Sequence, residues 1–176
     1  VVVLGLGPGG EHVAIKLARA GLDVLGVEDR LVGGECPYYG CVPSKALLRS
    51  ARAAHDVRAA TEVGIDVAAT AVPDFPRVMA RLRRLRAGIA PNDSVARMQG
   101  LGIDVFLGDA AFVDRDAIEV GGQRLEFSRA ILASGARAAT LPVPGLADAG
   151  YYTNETIFSL TERPPRFVVI GAGPIG

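Results

Sequence analysis

Val1-Val2-Val3-Leu4-Gly5-Leu6-Gly7-Pro8-Gly9-Gly10 opens the chain with an apolar run that passes straight into a glycine loop. Four consecutive aliphatic residues suit a strand buried on both faces of a parallel sheet. The loop carries Gly5-x-Gly7-x-x-Gly10, and behind it Val13, Ile15, Leu17 and Ala18 to Ala20 keep a helical rhythm until Gly21 stops it. Leu22 to Val27 then reads as a second strand, closed by Glu28. In such a βαβ unit Gly5 permits the tight turn, Gly7 lets a pyrophosphate approach the backbone, and Gly10 allows close helix–strand packing. The helix N-terminus offers N–H groups and the positive end of its dipole. Glu28, 23 residues after Gly5, stands where a carboxylate accepts hydrogen bonds from a ribose. A glycine fingerprint alone is a weak signal, because a plain strand–helix turn also uses it. Strand, loop, helix, strand and acid in this order predict a dinucleotide site.

The pattern recurs at Gly171-Ala172-Gly173-Pro174-Ile175-Gly176, behind strand-like Phe167 to Ile170. Gly171, Gly173 and Gly176 are therefore read as a second nucleotide loop. Two such loops 166 residues apart imply two nucleotides, a donor and an acceptor of electrons. A loop of this kind opens a helix, so the chain is read as a fragment of a longer protein. A leader before Val1 is left open.

Between the loops lies Gly33-Gly34-Glu35-Cys36-Pro37-Tyr38-Tyr39-Gly40-Cys41-Val42-Pro43-Ser44-Lys45, which holds both cysteines of the chain. Regular α-helix would separate Cys36 from Cys41 by about 7.5 Å along the axis. A disulfide tolerates Cα separations only to about 6.8 Å. The pair can bridge only if this first turn is irregular, a task for which Pro37 and Gly40 are suited. Pro43 interrupts the ladder once more, and Ser44 is read as the cap of a longer helix. A thiol beside a helix N-terminus and a cation has its thiolate favoured, as disulfide exchange requires. Two inert buried cysteines are the plainer reading, but the glycine–proline setting favours a redox couple. Metal ligation is not expected, since the only histidines, His12 and His55, lie elsewhere.

At 176 residues and 49% hydrophobic the chain can bury a core of its own. Its formal net charge of zero argues against nucleic acid as a partner. No apolar run approaches the ~18 residues needed to cross a bilayer, and no signal segment is visible. Two cysteines do not make a secreted disulfide scaffold, so a cytoplasmic protein with a catalytic pair is expected.

Leu47 to Ala60 and the stretch after Asp74 read as helices. The second carries Arg77, Arg81, Arg83, Arg84 and Arg86, a run read as a solvated face without a site. Pro91-Asn92-Asp93 breaks the chain before a helix from Ser94 to Gln99. From Ile103 the period changes. Ile103 to Leu107, Ala111 to Val113, Ala117 to Val120 and Gln123 to Phe127 are read as an antiparallel β-meander inserted in the parallel architecture. Arg129 to Ala133 is a further buried strand, ending in Ser134-Gly135 where a backbone can approach a cofactor. The expected fold class is α/β, with residues 1–141 a first, incomplete nucleotide-binding domain. Residues 142–165 form a proline-rich linker, and 166–176 the first strand and loop of a second domain.

Together these residues resemble the class I FAD-dependent pyridine nucleotide–disulfide oxidoreductases, the family of dihydrolipoamide dehydrogenase, glutathione reductase and mercuric reductase. The likeness covers the whole chain. It rests first on the Gly33-to-Lys45 segment, whose Ser-Lys ending is nearer the dihydrolipoamide dehydrogenase and mercuric reductase branches. Ala133-Ser134-Gly135 is similar to the family's Ala-Thr-Gly segment, and Gly108 to Phe112 to its adenine-contacting turn. The resemblance implies a Rossmann-like FAD-binding domain followed by the start of a Rossmann-like NAD(P) domain. FAD would be held by Gly5, Gly7, Gly10, Glu28, Gly34, Cys41, Lys45, Ala110, Ser134 and Gly135, and NAD(P)H by Gly171, Gly173 and Gly176. Cys36 would be the interchange thiol facing substrate, and Cys41 the charge-transfer thiolate against the isoalloxazine ring. Lys45, about one helical turn beyond Cys41, would help stabilise the reduced ring.

Electrons would run from NAD(P)H through FAD and the disulfide to a small-molecule disulfide or a metal ion, or in reverse from a dithiol, within a homodimer. Glu35 stands where the family usually has threonine, and Tyr38-Tyr39 where asparagine–valine is common. The active-site base comes in this family from the interface domain of the other subunit, so the fragment alone is expected to be inactive. Two other readings stay open: an FAD/NAD(P)H electron-transfer reductase without disulfide chemistry, and a non-enzymatic nucleotide-sensing redox switch. Thiols that appear only on reduction would separate the first from the disulfide reading, and stoichiometric FAD would separate the second.

Overall fold

The opening apolar run becomes a buried strand because both faces of its sheet are covered. In the computed structural model, which describes residues 1–68, 72–173 and 175–176, Val2–Leu4 form β1 and Pro8–Arg19 form α1. Val24–Glu28 (β2) returns parallel to β1 with Val3 opposite Gly26. Among the described residues four α-helices follow: Glu35–Tyr39 (α2), Cys41–Ala59 (α3), Phe75–Ile89 (α4) and Val95–Gly100 (α5). Then come Ile103–Leu107 (β3), Ala110–Asp114 (β4), Ala117–Val120 (β5), Gln123–Glu126 (β6) and Ala130–Leu132 (β7). Leu146–Ala149 (α6) and Asn154–Ile157 (α7) are short. Two compact units result, Val1–Tyr38 with Ala87–Arg137 and Tyr39–Arg86 with Ala138–Gly176.

In the first unit a parallel sheet of order β3-β2-β1-β7 is the middle layer. Side chains alternate across it. Val3, Val24 and Ile103 pack with Ala14 of α1 and Met98 of α5. Val2 and Val27 pack on the opposite side with Ile118 and Val120 of the antiparallel sheet β4-β5-β6. A sheet covered on both faces needs continuous apolar strands, which is why Val1 to Leu4 shows no polar alternation. One expectation is corrected here. Ile103 to Leu107, read as the first strand of the meander, is the edge of the parallel sheet, with Glu28 paired to Leu107. Its alternate residues Ile103 and Val105 belong to the helix-side core, so the sheet captures a strand whose short length resembles its neighbours in sequence.

In the second unit Ala46 of α3, Met79 and Leu82 of α4 and Phe158 make a buried cluster. Asp74 caps α4, its Oδ1 accepting from Arg77 N at 3.0 Å. α3 starts earlier than expected. Cys41 is its first residue and Gly40 its N-cap at φ −134°, ψ −106°. Ser44 is therefore inside the first turn, where its hydroxyl donates to the Cys41 carbonyl at 3.2 Å rather than capping. Pro43 is tolerated because the first-turn N–H groups have no partner inside the helix.

The segment 142–165, read as a linker, holds α6 and α7 and supplies Phe158 to the core. Phe167 to Ile170, read as a strand, forms none, and its side chains are exposed. A strand exists only where a neighbour completes its ladder. No helix of the described residues is long and apolar enough to cross a membrane.

Leu6 is fully buried, and a methyl group on Gly26 would come within 2.9 Å of its Cδ1. Leu6→Ala is expected to cost about 3 kcal/mol of stability by leaving a cavity beneath the turn, read from the urea midpoint. A change below about 1 kcal/mol would contradict this packing.

Candidate functional site

Parallel strands all deliver their C-terminal ends to one edge, and that edge is where α/β sheets bind ligands. Here Gly5 follows β1, Glu28 ends β2, Gly108 follows β3, and Ser134-Gly135 lies just past β7. Backbone hydrogen bonds knit them: Gly5 N donates to Val27 O at 2.8 Å, Gly108 N to Glu28 O at 2.9 Å, and Ala133 N to Leu4 O at 2.7 Å. Gly5 has φ +96°, and a Cβ there would collide with the Ala133 carbonyl. A Cβ on Gly10 would collide with the Gly5 carbonyl, so α1 lies directly against the turn. Gly7 is the N-cap of α1, no side chain caps the helix, and Pro8 occupies its first position. That start is suited to an anion bound through backbone N–H groups.

Gly34 joins this turn from the cysteine segment. Gly33 N donates to Leu6 O at 2.8 Å, and a Cβ on Gly34, whose φ is +60°, would lie 2.7 Å from Gly7 Cα. The two glycines therefore press backbone against backbone. Glu28 is buried, its Oε2 accepting from Leu6 N at 2.7 Å and its Oε1 from Arg30 N at 3.1 Å. A carboxylate has about four lone-pair sites, so two remain for a ligand. Ala110, first residue of β4, is exposed and opposite Val120. A Cβ at Gly135 would meet nothing within 4 Å.

Cys36 is half-buried on α2, and Cys41 is exposed at the start of α3. The helical path breaks at Gly40 between them. Lys45 is exposed on the same face of α3 as Cys41, one turn on. In the second unit Gly171 has φ +119°, and a Cβ on Gly176 would strike the Gly171 carbonyl, as Gly10 would strike Gly5. Gly173 has nothing within 4 Å of such a Cβ, and Pro174 lies outside the described residues.

Sequence reasoning missed a tie between α1 and α5. Arg97 Nη1 donates to Glu11 Oε1 at 2.6 Å and to Asn92 O at 2.7 Å. The neighbouring Asp93 lies under Gly33, where a Cβ would come 2.6 Å from Asp93 Cβ. One cluster thus braces the first turn of α1 and the glycine pair. Arg97 and Glu11 are 86 residues apart, and no local pattern announces such a pair. The helix itself was read from Ser94 to Gln99; Ser94 proves to be its N-cap, accepting from Arg97 N at 3.2 Å.

The whole chain, residues 1–176, matches the family described as pyridine nucleotide-disulphide oxidoreductase. A dihydrolipoyl dehydrogenase of Haloferax volcanii is 33% identical, the match covering all of this chain and 38% of that protein. A mercuric reductase of Lysinibacillus sphaericus is 31% identical over all of this chain and 32% of its own length. Among solved structures, the HOCl-induced flavoprotein disulfide reductase RclA from Escherichia coli superposes with a TM-score of 0.70 at 26% identity, covering 92% of this chain and 34% of that one. The chain thus spans about a third of the length of these relatives.

The Glu11 carboxyl is held above its ordinary 4.5, first by burial and next by the Asp93 charge, while the Arg97 hydrogen bond and charge pull the other way. A pKa raised by folding means the native state keeps its proton longer than the unfolded chain, so stability falls as pH rises through that window. Arg97→Gln removes both lowering effects and pushes the carboxyl further up. Its cost is expected to be small near pH 4 and to grow as pH rises past 4.5, in thermal midpoints of the protein measured to neutrality. A cost that does not change with pH would contradict the pairing.

Proposed function

The chain belongs to the pyridine nucleotide-disulphide oxidoreductases, and we propose that it supplies the flavin cradle and the redox-active cysteine pair of such an enzyme. Members of this family depend on FAD and take electrons from NAD(P)H. The observation that carries the reading for this chain is the convergence of the glycine turn, Glu28, Gly108 and Ser134-Gly135 on one sheet edge, with Gly34 pressed onto the turn. Side chains at Gly5 or Gly34 would fill the space that backbone contacts occupy.

In this reading Gly5, Gly7 and Gly10, with the start of α1, hold the pyrophosphate of the dinucleotide. Glu28 accepts from the ribose, Ala110 borders the adenine, and Ser134 and Gly135 bring backbone to the flavin side. FAD, when bound, supplies two-electron exchange between NAD(P)H and a disulfide. Cys36 and Cys41 close as a disulfide and open as two thiols, taking up two electrons and two protons. Cys36 meets the substrate, Cys41 faces the flavin, and Lys45 places a cation one turn beyond it. Gly171, Gly173 and Gly176 begin the NAD(P)H site. The repeat there of the Gly5–Gly10 relation supports that assignment.

The substrate is a small-molecule disulfide or dithiol, or a metal ion, as the names of the relatives indicate for those proteins. The working protein is a cytoplasmic homodimer, and residues 1–141 form the first part of its flavin domain. Two-electron cycling at the cysteines separates this reading from a plain electron-transfer reductase.

Cys36→Ser and Cys41→Ser, made in the intact protein, are expected to retain FAD and to reduce ferricyanide with NAD(P)H. Each should lose at least a hundredfold in disulfide reduction. Titration should find two thiols more in the reduced than in the oxidised wild-type protein. Unchanged disulfide turnover in either variant would refute the disulfide chemistry.

A further inference from the structure

The arginines of α4 are not spread evenly over a solvated face. At about 100° per residue, Arg77, Arg81 and Arg84 fall within an arc of about 60°, and Arg83 and Arg86 fall outside it. That arc borders an open depression of about 550 Å³, lined also by Ser50 of α3 and by Asp74. A volume of this size is in the range that holds small molecules.

The three guanidinium groups are differently placed. Arg81 is half-buried and anchored, its Nη1 donating to the Ala46 carbonyl of α3 at 3.1 Å. Arg77 and Arg84 are exposed, and among the described residues neither guanidinium enters an ion pair. Asp74, the acid nearest in sequence, spends Oδ1 on capping Arg77 N and pairs with no guanidinium. Ser50 adds a hydroxyl that donates to Ala46 O at 3.4 Å and keeps lone pairs and rotational freedom. Like charges gathered on one wall repel each other unless an anion is placed among them. Guanidinium forks match phosphoryl oxygens two at a time, with charge-assisted bonds.

We infer that this depression between α3 and α4 binds a compact phosphorylated small molecule, separate from either nucleotide loop. Arg81 is the fixed donor, held by Ala46 O. Arg77 and Arg84 close on the ligand from the rim, and Ser50 offers a neutral hydrogen bond. The site does not depend on the flavin assignment, because none of its residues lies at the sheet edge.

Inorganic pyrophosphate is the probe, titrated calorimetrically into the intact protein saturated with FAD and NADPH so that both glycine loops are filled. One saturable binding event is expected. The Arg77→Gln, Arg84→Gln double variant should weaken it at least tenfold, while Arg83→Gln, a charge loss outside the arc, should leave it within twofold. Unaltered thermal midpoints in these exposed-site variants check that the fold is intact, and Arg84→Gln alone gives a second reading if the double variant melts early. Absence of saturable binding, equal weakening by Arg83→Gln, or tighter binding of citrate than of pyrophosphate would each overturn the assignment. Loss of FAD binding would bear on the flavin cradle only.

Discussion

Backbone meeting backbone without intervening side chains is the constraint on which the first unit depends. The turn at Gly5 lies against the Ala133 carbonyl, α1 lies against the Gly5 carbonyl at Gly10, and Gly34 lies against Gly7. The Gly5–Ala133 and Gly34–Gly7 contacts join segments distant in sequence, and none of the three leaves room for a Cβ. Together they set how near α1 comes to the sheet, where its N-terminus points, and how Gly33-Gly34 sits on the turn. The apolar layers on either side of the sheet then hold this arrangement in place. Val2 and Val3 are neighbours in sequence and core residues of opposite faces.

The parallel sheet, the glycine turn and the acid at the end of β2 were legible because they depend on local order: an unbroken apolar run, a glycine spacing and a helical rhythm. The parts that were not legible depend on partners. Ile103 to Leu107 has the length and composition of a meander strand, and only its pairing with Val24 to Glu28 assigns it to the other sheet. Phe167 to Ile170 has the composition of a strand, and among the described residues no strand pairs with it. The start of α3 was misplaced because proline and serine were weighed as boundary signals, whereas Gly40 was already the cap. Arg97 reaches Glu11 across 86 residues, a distance over which spacing carries no information.

The candidate site shows the same division. Gly5, Gly7, Gly10, Glu28 and Ser134-Gly135 were placed by motif, and the sheet brings them to one edge. The bracing at the first turn of α1 comes from Glu11 on that helix, Arg97 of α5 and Asp93 just before α5, which no local pattern ties together. Long-range ties of this kind position a site without contacting what it binds. The second glycine loop repeats the positive φ of Gly5 at Gly171 and the Gly5–Gly10 approach at Gly171–Gly176, so these features of the turn follow from local sequence.

The two backbone amides that engage Glu28 have a consequence for affinity. A free glutamate loses rotamer entropy when it grips a sugar hydroxyl, and that loss weakens binding. Here folding has already immobilised the carboxylate through Leu6 N and Arg30 N. The entropic cost of fixing it therefore falls on folding, and a sugar hydroxyl bound there, as proposed, would meet a carboxylate already held in place.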